Sequence, residues 1–198
     1  MTSNIYVPPN WIDPLDWRQV FDQQRPVEID VGCGKGAFLH WVASTRPSSN
    51  FIGVDRLLAR LRKVDKRIQR HGLHNVRLIR IEASYLISKL VPNSSVAAYH
   101  VYFPDPWPKR RHRERRLINT ALVKDLHRTL EPRGAVNVAT DHDDYFQQIE
   151  SVMSESDLFQ RETVEAQPEE ARTDFEREFL ADGKPIYRSR WVRRGSRQ

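Results

Sequence analysis

Residues 27–38, VEIDVGCGKGAF, carry the clearest indication of the fold of this chain. Residues 27–31 are a short, mostly apolar run typical of a buried strand. Three glycines then permit a tight turn and let backbone N–H groups approach a ligand closely. Apolar residues at helical spacing follow from Phe38 onward. A strand, a glycine-rich turn and a helix in this order indicate a doubly wound α/β domain, in which ligands bind beyond the carboxyl ends of the strands.

The same alternation continues along the chain. Further strands are predicted at 51–55, 76–81, 96–103, 135–140, 159–164 and 185–192, with helical patterns between them. We therefore predict an α/β fold with a doubly wound, mostly parallel seven-stranded sheet and helices on both faces. Residues 1–26 are predicted to be a short N-terminal extension packed on the core. Residues 27–198 are predicted to form one domain with a basic loop at 108–116.

Composition limits the classes of function. A chain of 198 residues with 39% hydrophobic and 29% charged residues is typical of one soluble globular domain. No stretch approaches the ~20 apolar residues that span a membrane. The first residues resemble no secretion signal, so we expect a cytoplasmic protein without a membrane partner. The one cysteine, Cys33, excludes an internal disulfide and a cysteine-based zinc site, and we expect no metal.

Positive charge is clustered along the chain. The formal net charge is +6, yet residues 109–116 carry six Lys or Arg against one Glu, and residues 56–70 carry seven against one Asp. Residues 188–197 add five arginines, whereas residues 141–178 are acidic. This segregation predicts a polyanionic partner on one side of the molecule. For residues 56–70 and for the C-terminal arginines, a merely solvated surface remains the alternative.

The glycine-rich turn is compatible with two cofactors. The pattern G-x-G-x-x-G/A at residues 32–37, with Asp55 about 20 residues further on to hold a ribose, is that of nicotinamide dehydrogenases. Asp30 lies two residues before the first glycine, and the resulting D-x-G-x-G-x-G spacing resembles motif I of S-adenosylmethionine-dependent methyltransferases. Carboxylates at Glu28 and Asp30 would disfavour a pyrophosphate and favour a cationic sulfonium cofactor. The residues favour S-adenosylmethionine and leave the dehydrogenase as the alternative.

A rigid segment follows the fourth predicted strand. In FPDPWPK, residues 103–109, prolines on both sides of Asp105 restrict the backbone. Asp105 and Trp107 are therefore expected to be held over the cofactor edge of the sheet. A carboxylate there can accept hydrogen bonds from a base edge, and an indole offers a stacking surface. The cations that follow can bind phosphates.

FPDPWPKRRHRERR, residues 103–116, resembles the tRNA (guanine-N7)-methyltransferase family. Thr140-Asp141 with Tyr145, and the run Thr173 to Glu176, resemble further segments of that family, and the match extends from about Val27 to Arg190. The resemblance implies a class I methyltransferase fold with an antiparallel last strand. It also implies methylation of N7 of the variable-loop guanine, nucleotide 46 of tRNA, with S-adenosylmethionine as the cofactor and tRNA as the partner.

The turn and the resemblance together give the expected site. We expect Asp105 to be the catalytic residue. The residues expected at the cofactor lie in or directly after the first four strands and are Glu28, Asp30, Gly32, Gly34, Gly36, Asp55, Glu82 and Asp105. The residues that the resemblance implies at the substrate are Lys109, Asp141, Thr173, Asp174, Phe175 and Glu176. The cations expected to contact phosphate besides Lys109 are Arg110, Arg111, Arg115 and Arg116.

Some positions depart from the family's pattern. Asp55 stands where the family usually has Glu, Glu82 where it often has Asp, and Glu114 where a basic residue is usual. The first two changes keep the charge and alter the reach by one methylene. The third, together with an N-terminus shorter than in many relatives, affects the details of tRNA docking rather than the chemistry.

The expected reaction needs no general base, because guanine N7 has a lone pair and loses no proton. Asp105 and Asp141 would position guanine by accepting from its N1–H and N2–H₂ groups, which adenine lacks. The alternatives are a methyltransferase that acts on an exocyclic amine of RNA and a non-catalytic tRNA-binding protein that retains the fold. We expect a monomer rather than a homodimer.

Overall fold

The structure is a computed structural model that describes residues 3–165 and 167–195. The strands are β1 (Val27–Val31), β2 (Asn50–Asp55), β3 (Val76–Arg80), β4 (Val96–Tyr102), β5 (Leu130–Thr140), β6 (Phe159–Glu162) and β7 (Tyr187–Arg193). The α-helices are α1 (Trp17–Val20), α2 (Ala37–Thr45), α3 (Leu58–Arg70), α4 (Ala83–Tyr85), α5 (Thr120–Thr129), α6 (Asp143–Glu155) and α7 (Asp174–Ala181). A π-helical turn (Leu86–Leu90) and two 3₁₀ turns (Arg110–Arg115 and Glu169–Ala171) complete the elements.

The seven strands form one sheet in the order β3-β2-β1-β4-β5-β7-β6. Strands β1 to β5 pair in parallel, and β7 lies antiparallel between β5 and β6. The predicted seven-stranded, mostly parallel sheet with an antiparallel last strand is confirmed. The strand order reverses between β1 and β4, and a crevice for a ligand forms at such a reversal, beyond the carboxyl ends of the strands.

Side chains alternate across β1, so each face of the sheet has its own core. Val27, Ile29 and Val31 pack with α5, α6 and the π-helical turn on one face. The other face is covered by α2 and α3, whose buried residues pack on Phe51 and Leu78. The even-numbered residues of β1 point toward that second face, which places two carboxylates there.

Most strand bounds lie within two residues of the predicted ones, and the larger differences are at the start of β5 and at the start of α5. Strand β5 begins at Leu130 instead of 135, because its pairing with β4 shifts register between Val96 and Ala98 and leaves residues 131–134 as a bulge around a proline. Between the predicted strands at 96–103 and 135–140, the helical pattern of the sequence begins at about residue 115, but the structure interrupts it. A 3₁₀ turn ends at Arg115, and α5 starts only after Asn119. The Asn119 side chain accepts hydrogen bonds from the next two free backbone N–H groups and fixes that start.

The N-terminal segment lies along β3, at one edge of the sheet. The N–H of Tyr6 donates to the carbonyl of Leu78 at 2.8 Å, and the N–H of Leu78 donates to the carbonyl of Asn4 at 2.9 Å. The Asp65 carboxylate of α3 accepts from the Ser3 hydroxyl at 2.7 Å and from the Asn4 N–H at 2.9 Å. Backbone and side-chain bonds therefore tie this segment to the α3 side of the sheet.

The segment after β4, residues 103–109, has an unusual backbone and is called the β4 loop below. Phe103 and Trp107 have positive φ values of 53° and 43°, a conformation that non-glycine residues rarely adopt. Each such residue costs on the order of 1–3 kcal/mol and persists only when its surroundings hold it. The Phe103 N–H donates to the carbonyl of Ala139 at 2.7 Å, and the Trp107 ring packs near the Arg115 guanidinium, 5.2 Å from the ring centroid.

The buried Arg116 side chain stabilises the middle of the β4 loop by a hydrogen bond to its backbone. Its side chain is 1% exposed, and its Nε donates to the carbonyl of Pro106 at 2.8 Å. The guanidinium also donates to Gln148 Oε1 at 2.7 Å, pairs with Asp144 and lies 4.8 Å from the Tyr145 ring centroid. The expectation that Arg116 contacts phosphate is therefore corrected, since its donors are turned into the protein and occupied by groups of α6.

Because Arg116 satisfies buried acceptors, its replacement should lower stability more than that of its exposed neighbour. We expect Arg116→Met to lower the free energy of unfolding by about 1–3 kcal/mol, the usual cost of leaving buried hydrogen-bond partners unpaired. Arg115→Met is the matched control and should cost less than about 1 kcal/mol, because it removes only an exposed contact with an aromatic ring. Urea unfolding followed by circular dichroism would measure both. Equal losses in the two variants would contradict this role of Arg116.

Candidate active site

The residues that could bind a ligand or take part in a reaction lie at the carboxyl edge of the sheet. After β1, the glycine turn adopts the left-handed backbone, with φ values of 77° at Gly32, 55° at Gly34 and 76° at Gly36. A Cβ at Gly36 would lie only 2.7 Å from Cγ1 of Val64, so the turn packs directly on α3. Glycine is required there for both the conformation and the close approach.

Asp30 is the penultimate residue of β1 and its carboxylate is buried. The side chain has no hydrogen-bond or ion-pair partner among the described residues. Burial, and after it the nearby Asp55 carboxylate, raises the pKa of Asp30 to about 7. The charged form is therefore costly near neutral pH. A cation placed against Asp30 would offset that cost, which makes this side chain a candidate ligand for a positively charged group.

Glu28 lies two residues earlier on the same face, but its charge is already balanced. Both of its oxygens accept from the Arg46 guanidinium, at 2.8 and 2.9 Å, and one also contacts Nε2 of His100 at 2.8 Å. Burial raises the pKa of Glu28, and the contacts with His100 and Arg46 outweigh this effect and lower it. The structure does not bring Glu28 to the crevice, although it was expected at the cofactor.

A pocket lies between the glycine turn and the start of α7. Of the expected site residues, it brings together those of the turn and of the run before and into α7, which are Asp30, Gly32, Gly34, Thr173, Asp174 and Phe175. The remaining lining residues were not predicted and are Cys33, Lys35, Ala37, Phe38 and Tyr102. Tyr102 is the last residue of β4 and comes directly before the proline-rich segment. That position in the sequence could have identified it as a residue of the pocket.

The start of α7 is fixed from both sides. The Thr173 hydroxyl accepts from the Glu176 N–H at 3.0 Å and caps the helix. The Glu176 side chain is buried and pairs with Arg188 of β7, so it faces away from the pocket. Of the run expected at the substrate, Thr173 to Phe175 line the pocket, whereas Glu176 anchors the helix to the sheet.

A short polar chain links this anchor to the pocket wall. The Tyr102 hydroxyl accepts from Nε2 of Gln167 at 2.8 Å, and Oε1 of Gln167 accepts from Arg188 at 3.4 Å. In the sequence Arg188 belongs to the group of C-terminal arginines, but in the structure its guanidinium bonds groups of the protein itself. The pocket wall, the segment before α7 and β7 are held as one unit.

Asp55 is the last residue of β2 and Glu82 follows β3 at the same edge of the sheet, and neither lines this pocket. The Asp55 carboxylate accepts from the Leu57 N–H at 2.8 Å and pairs with Arg60 at 3.5 Å. Glu82 is exposed, and its carboxylate caps α4 by accepting from the Tyr85 N–H at 3.0 Å. Both carboxylates lie beside the glycine turn in the order of the strands, where a ligand extending from the pocket would meet them.

The other side of the edge carries Asp105 and Asp141. Asp105 is exposed on the β4 loop. Asp141 follows β5 and pairs with Lys184 at 3.4 Å, and the Lys184 ammonium lies 4.3 Å from the Phe179 ring centroid. The Phe179 ring of α7 contacts Phe103 of the β4 loop, with 5.5 Å between centroids. Helix α7 therefore connects the β4 loop to the segment after β5.

The basic run, residues 109–116, divides into two groups. Arg113 pairs with Asp144 at 2.7 Å, Arg115 lies against Trp107, and Arg116 is buried, so these three contact the protein. Lys109, Arg110 and Arg111 are exposed and have no ion-pair partner in the described part of the chain. Of the cations expected at phosphate, these three are displayed to solvent with neither an acidic partner nor an aromatic ring against them, whereas Arg115 is exposed but lies on the Trp107 ring.

Residues 3–165 and 167–195 contain neither a metal-binding cluster nor a membrane-spanning helix. No group of three or more His, Cys, Asp or Glu side chains there is arranged to hold a metal ion. None of the described helices has the length and apolar character to cross a membrane. Cys33 is a free thiol buried beside the glycine turn.

Solved structures with this fold include methyltransferases. The 16S rRNA methyltransferase KamB superposes with a TM-score of 0.66 at 19% identity, covering 90% of this chain and 93% of that one. A SAM-dependent O-methyltransferase from Thermotoga maritima gives a TM-score of 0.59 at 15% identity, covering 91% of this chain and 64% of that one. At these identities the similarity shows the fold alone.

Sequence comparison is more specific. A family model described as "Putative methyltransferase" matches residues 24–189. The tRNA (guanine-N(7)-)-methyltransferase of Geobacter metallireducens is 34% identical over 88% of this chain and 85% of its own length. The enzyme of the same name from Thermotoga maritima is 31% identical over 88% of this chain, which spans only 56% of that relative. This chain belongs to the tRNA (guanine-N(7)-)-methyltransferase family.

Proposed function

We propose that the protein methylates N7 of a guanine in tRNA, the variable-loop guanine at nucleotide 46, with S-adenosylmethionine as the methyl donor. The observation that carries the proposal is the unpaired, buried Asp30 at the glycine turn, on the same edge as the exposed Asp105 and its neighbouring cations. One carboxylate suits a cationic cofactor, and the other suits a base with N–H donors. Family membership supports both assignments.

The residues of the edge fit S-adenosylmethionine. Asp30 would compensate its positive charge, the glycine turn gives its amino-acid end a close backbone surface, and Asp55 would accept from the ribose hydroxyls. Glu82 lies one strand further, at the position expected near adenine. When bound, this cofactor supplies an electrophilic methyl group carried on sulfur. The acids would disfavour the pyrophosphate of a nicotinamide cofactor, so the geometry supports the methyltransferase over the dehydrogenase.

The remaining work of this chain is orientation. Guanine N7 presents a lone pair and no proton, so no side chain has to act as a general base. Asp105, held on a strained loop, would accept from the N1–H and N2–H₂ groups of guanine and fix the ring, and Asp141 would support it from the neighbouring strand. The acceleration then comes from holding N7 in line with the transferred methyl group and from excluding water.

The displayed cations would supply affinity for tRNA. Lys109 is the last residue of the β4 loop, and Arg110 and Arg111 follow it directly, so phosphates bound there would place a base near Asp105. We also propose that the protein acts in the cytoplasm as a monomer. A single buried cysteine and a sheet completed within one chain support these two points.

Methyl transfer to unmodified tRNA tests the proposal directly. Label from S-adenosylmethionine should appear in tRNA, and borohydride–aniline treatment should cleave the chain at the variable-loop guanine. Label without cleavage would indicate an exocyclic amine as the acceptor. Binding of tRNA without any label would indicate a binding protein and would refute the proposed activity.

Asp105→Asn should lower the rate of methylation on the order of 10²–10³-fold, because a misplaced amide replaces the acceptor that orients guanine. Asp143→Asn is the matched control: it removes an exposed carboxylate at the same edge, whose side chain bonds only Gln147 in the described structure. Single-turnover rates of both variants would be compared at saturating tRNA. If the two variants lost activity equally, Asp105 would have no specific role.

Asp30 should make cofactor binding depend on pH. Its pKa of about 7 in the free protein means that it is mostly protonated at pH 5.5, and only the ionised form compensates a cation. Affinity for S-adenosylmethionine should therefore increase on the order of tenfold between pH 5.5 and 7, with release of a proton on binding. Calorimetry in buffers of different ionisation enthalpy measures both quantities.

The control for this titration is Asp30→Asn, which should bind the cofactor more weakly and with little change over the same pH range. Circular dichroism at each pH would establish that both proteins remain folded. Wild-type affinity that is constant from pH 5.5 to 7 would exclude Asp30 as the charge partner of the cofactor.

A further inference from the structure

Helix α3 displays a row of cations that the site described above does not use. Arg62, Lys63, Lys66 and Arg70 are exposed and Arg67 is half-buried, and none of these five has an ion-pair partner in the described part of the chain. We call these five residues the α3 basic face. The opposite side of the helix, with Leu61, Val64 and Ile68, is fully buried against the sheet.

The single acid of the helix does not neutralise this face. Asp65 is buried, and its oxygens accept from Ser3 and Asn4 of the N-terminal segment. Arg60 is the one cation of α3 with an acidic partner, Asp55, at 3.5 Å. The charge of the α3 basic face is thus balanced only by solvent ions.

This lack of partners is not general in the protein. Arg46 pairs with the buried Glu28, and Arg188 pairs with the buried Glu176. Arg128 donates to three backbone carbonyls and to Asn93. The chain therefore places acids and acceptors where a cation is to be held. Single cations without an acidic partner also occur elsewhere among the described residues, for example Lys124 and Arg133, but α3 and residues 109–111 are where such cations follow one another closely along the chain.

The arrangement on α3 is also unfavourable for the helix itself. Arg62 and Lys66, Lys63 and Arg67, and Lys66 and Arg70 each stand four residues apart, where like charges destabilise a helix. The first turn of α3 contains no acid, and its start lacks a side-chain cap. A bound polyanion would remove this repulsion, whereas solvent only screens it.

The position of α3 favours RNA over a membrane as that polyanion. The helix starts three residues after Asp55, at the edge that carries the proposed active site, and its 13 residues extend about 20 Å along the surface. A membrane-surface helix must insert an apolar face. The apolar face of α3 is already buried in the core, so only charge is offered.

We propose that the α3 basic face is a second phosphate-binding surface for the tRNA substrate, separate from residues 109–111. It would contact the RNA backbone on the β2–β3 side of the edge while residues 109–111 hold it on the β4 side. Contacts on both sides of the glycine turn, one on each side, would fix the orientation of the RNA. A single cluster of cations would leave the RNA free to rotate about it. This inference rests on the proposed function, because it assumes that tRNA is the bound polyanion.

The test compares two double variants with the same change in net charge. Lys63→Gln/Lys66→Gln removes two charges from the α3 basic face. Lys124→Gln/Arg133→Gln removes two exposed charges from α5 and from the bulge of β5, away from the edge. Fluorescence anisotropy would give the Kd for unmodified tRNA between 50 and 200 mM KCl, and calorimetry would give the Kd for S-adenosylmethionine.

We expect the α3 double variant to weaken tRNA binding on the order of tenfold at 150 mM KCl and to reduce the slope of log K against log[KCl] by about 1.5–2, as two lost phosphate contacts require. Its KM for tRNA should rise in parallel, and its Kd for S-adenosylmethionine should equal that of the wild type. The control double variant should match the wild type in all four quantities.

The proposal fails if the two double variants bind tRNA with the same affinity and the same salt slope. It also fails if the α3 variant loses binding to phosphatidylserine vesicles while it keeps its affinity for tRNA. Failure of the proposed function would be seen separately, in the wild-type protein, as absence of methyl transfer or of tRNA binding.

Discussion

A buried carboxylate without a partner is the constraint on which the functional edge depends. Asp30 and Glu28 stand two residues apart on the same face of the same central strand, yet Glu28 has Arg46 and His100 beside it and Asp30 has only another acid nearby. An ion pair could have balanced both. Leaving one carboxylate uncompensated lowers the stability of the free protein at neutral pH and reserves that charge for a ligand. The uncompensated charge of Asp30 thus destabilises the free protein at the same position where a bound cation would stabilise the complex.

Whether a feature of the fold or the site could be predicted from the sequence depends on how far apart its interacting residues lie along the chain. The glycine turn and Asp30 are part of one local strand-turn-helix pattern, so their position could be predicted. Glu28 could not be distinguished from Asp30, because its partners Arg46 and His100 lie 18 and 72 residues away and only the folded sheet brings them together. The seven strands followed from hydrophobic periodicity, whereas the early start of β5 depends on a register shift against β4.

Runs of like residues were the least informative part of the sequence. Nothing within residues 109–116 separates Arg116 from Arg111, yet one is buried and the other is exposed. The difference is made by Asp144 and Gln148, about 30 residues later in the chain, which provide acceptors for Arg116 and none for Arg111. Net charge therefore overstates the surface available to a polyanion. Much of the arginine content of this protein belongs to its internal scaffold, and only the remainder can contact RNA.

The N-terminal segment has a consequence for solubility. The outer strands of an open sheet carry free N–H and C=O groups, which can pair with another chain and begin aggregation. At one end of this sheet, Asn4 and Tyr6 occupy the outward-facing groups of Leu78 in β3. At the other end, β6 has only four residues, and three of them are Gln160, Arg161 and Glu162, which suit water better than a neighbouring strand. Both margins of the sheet are thus protected by short, polar or already bonded segments, which favours a chain that stays separate from its copies at high concentration.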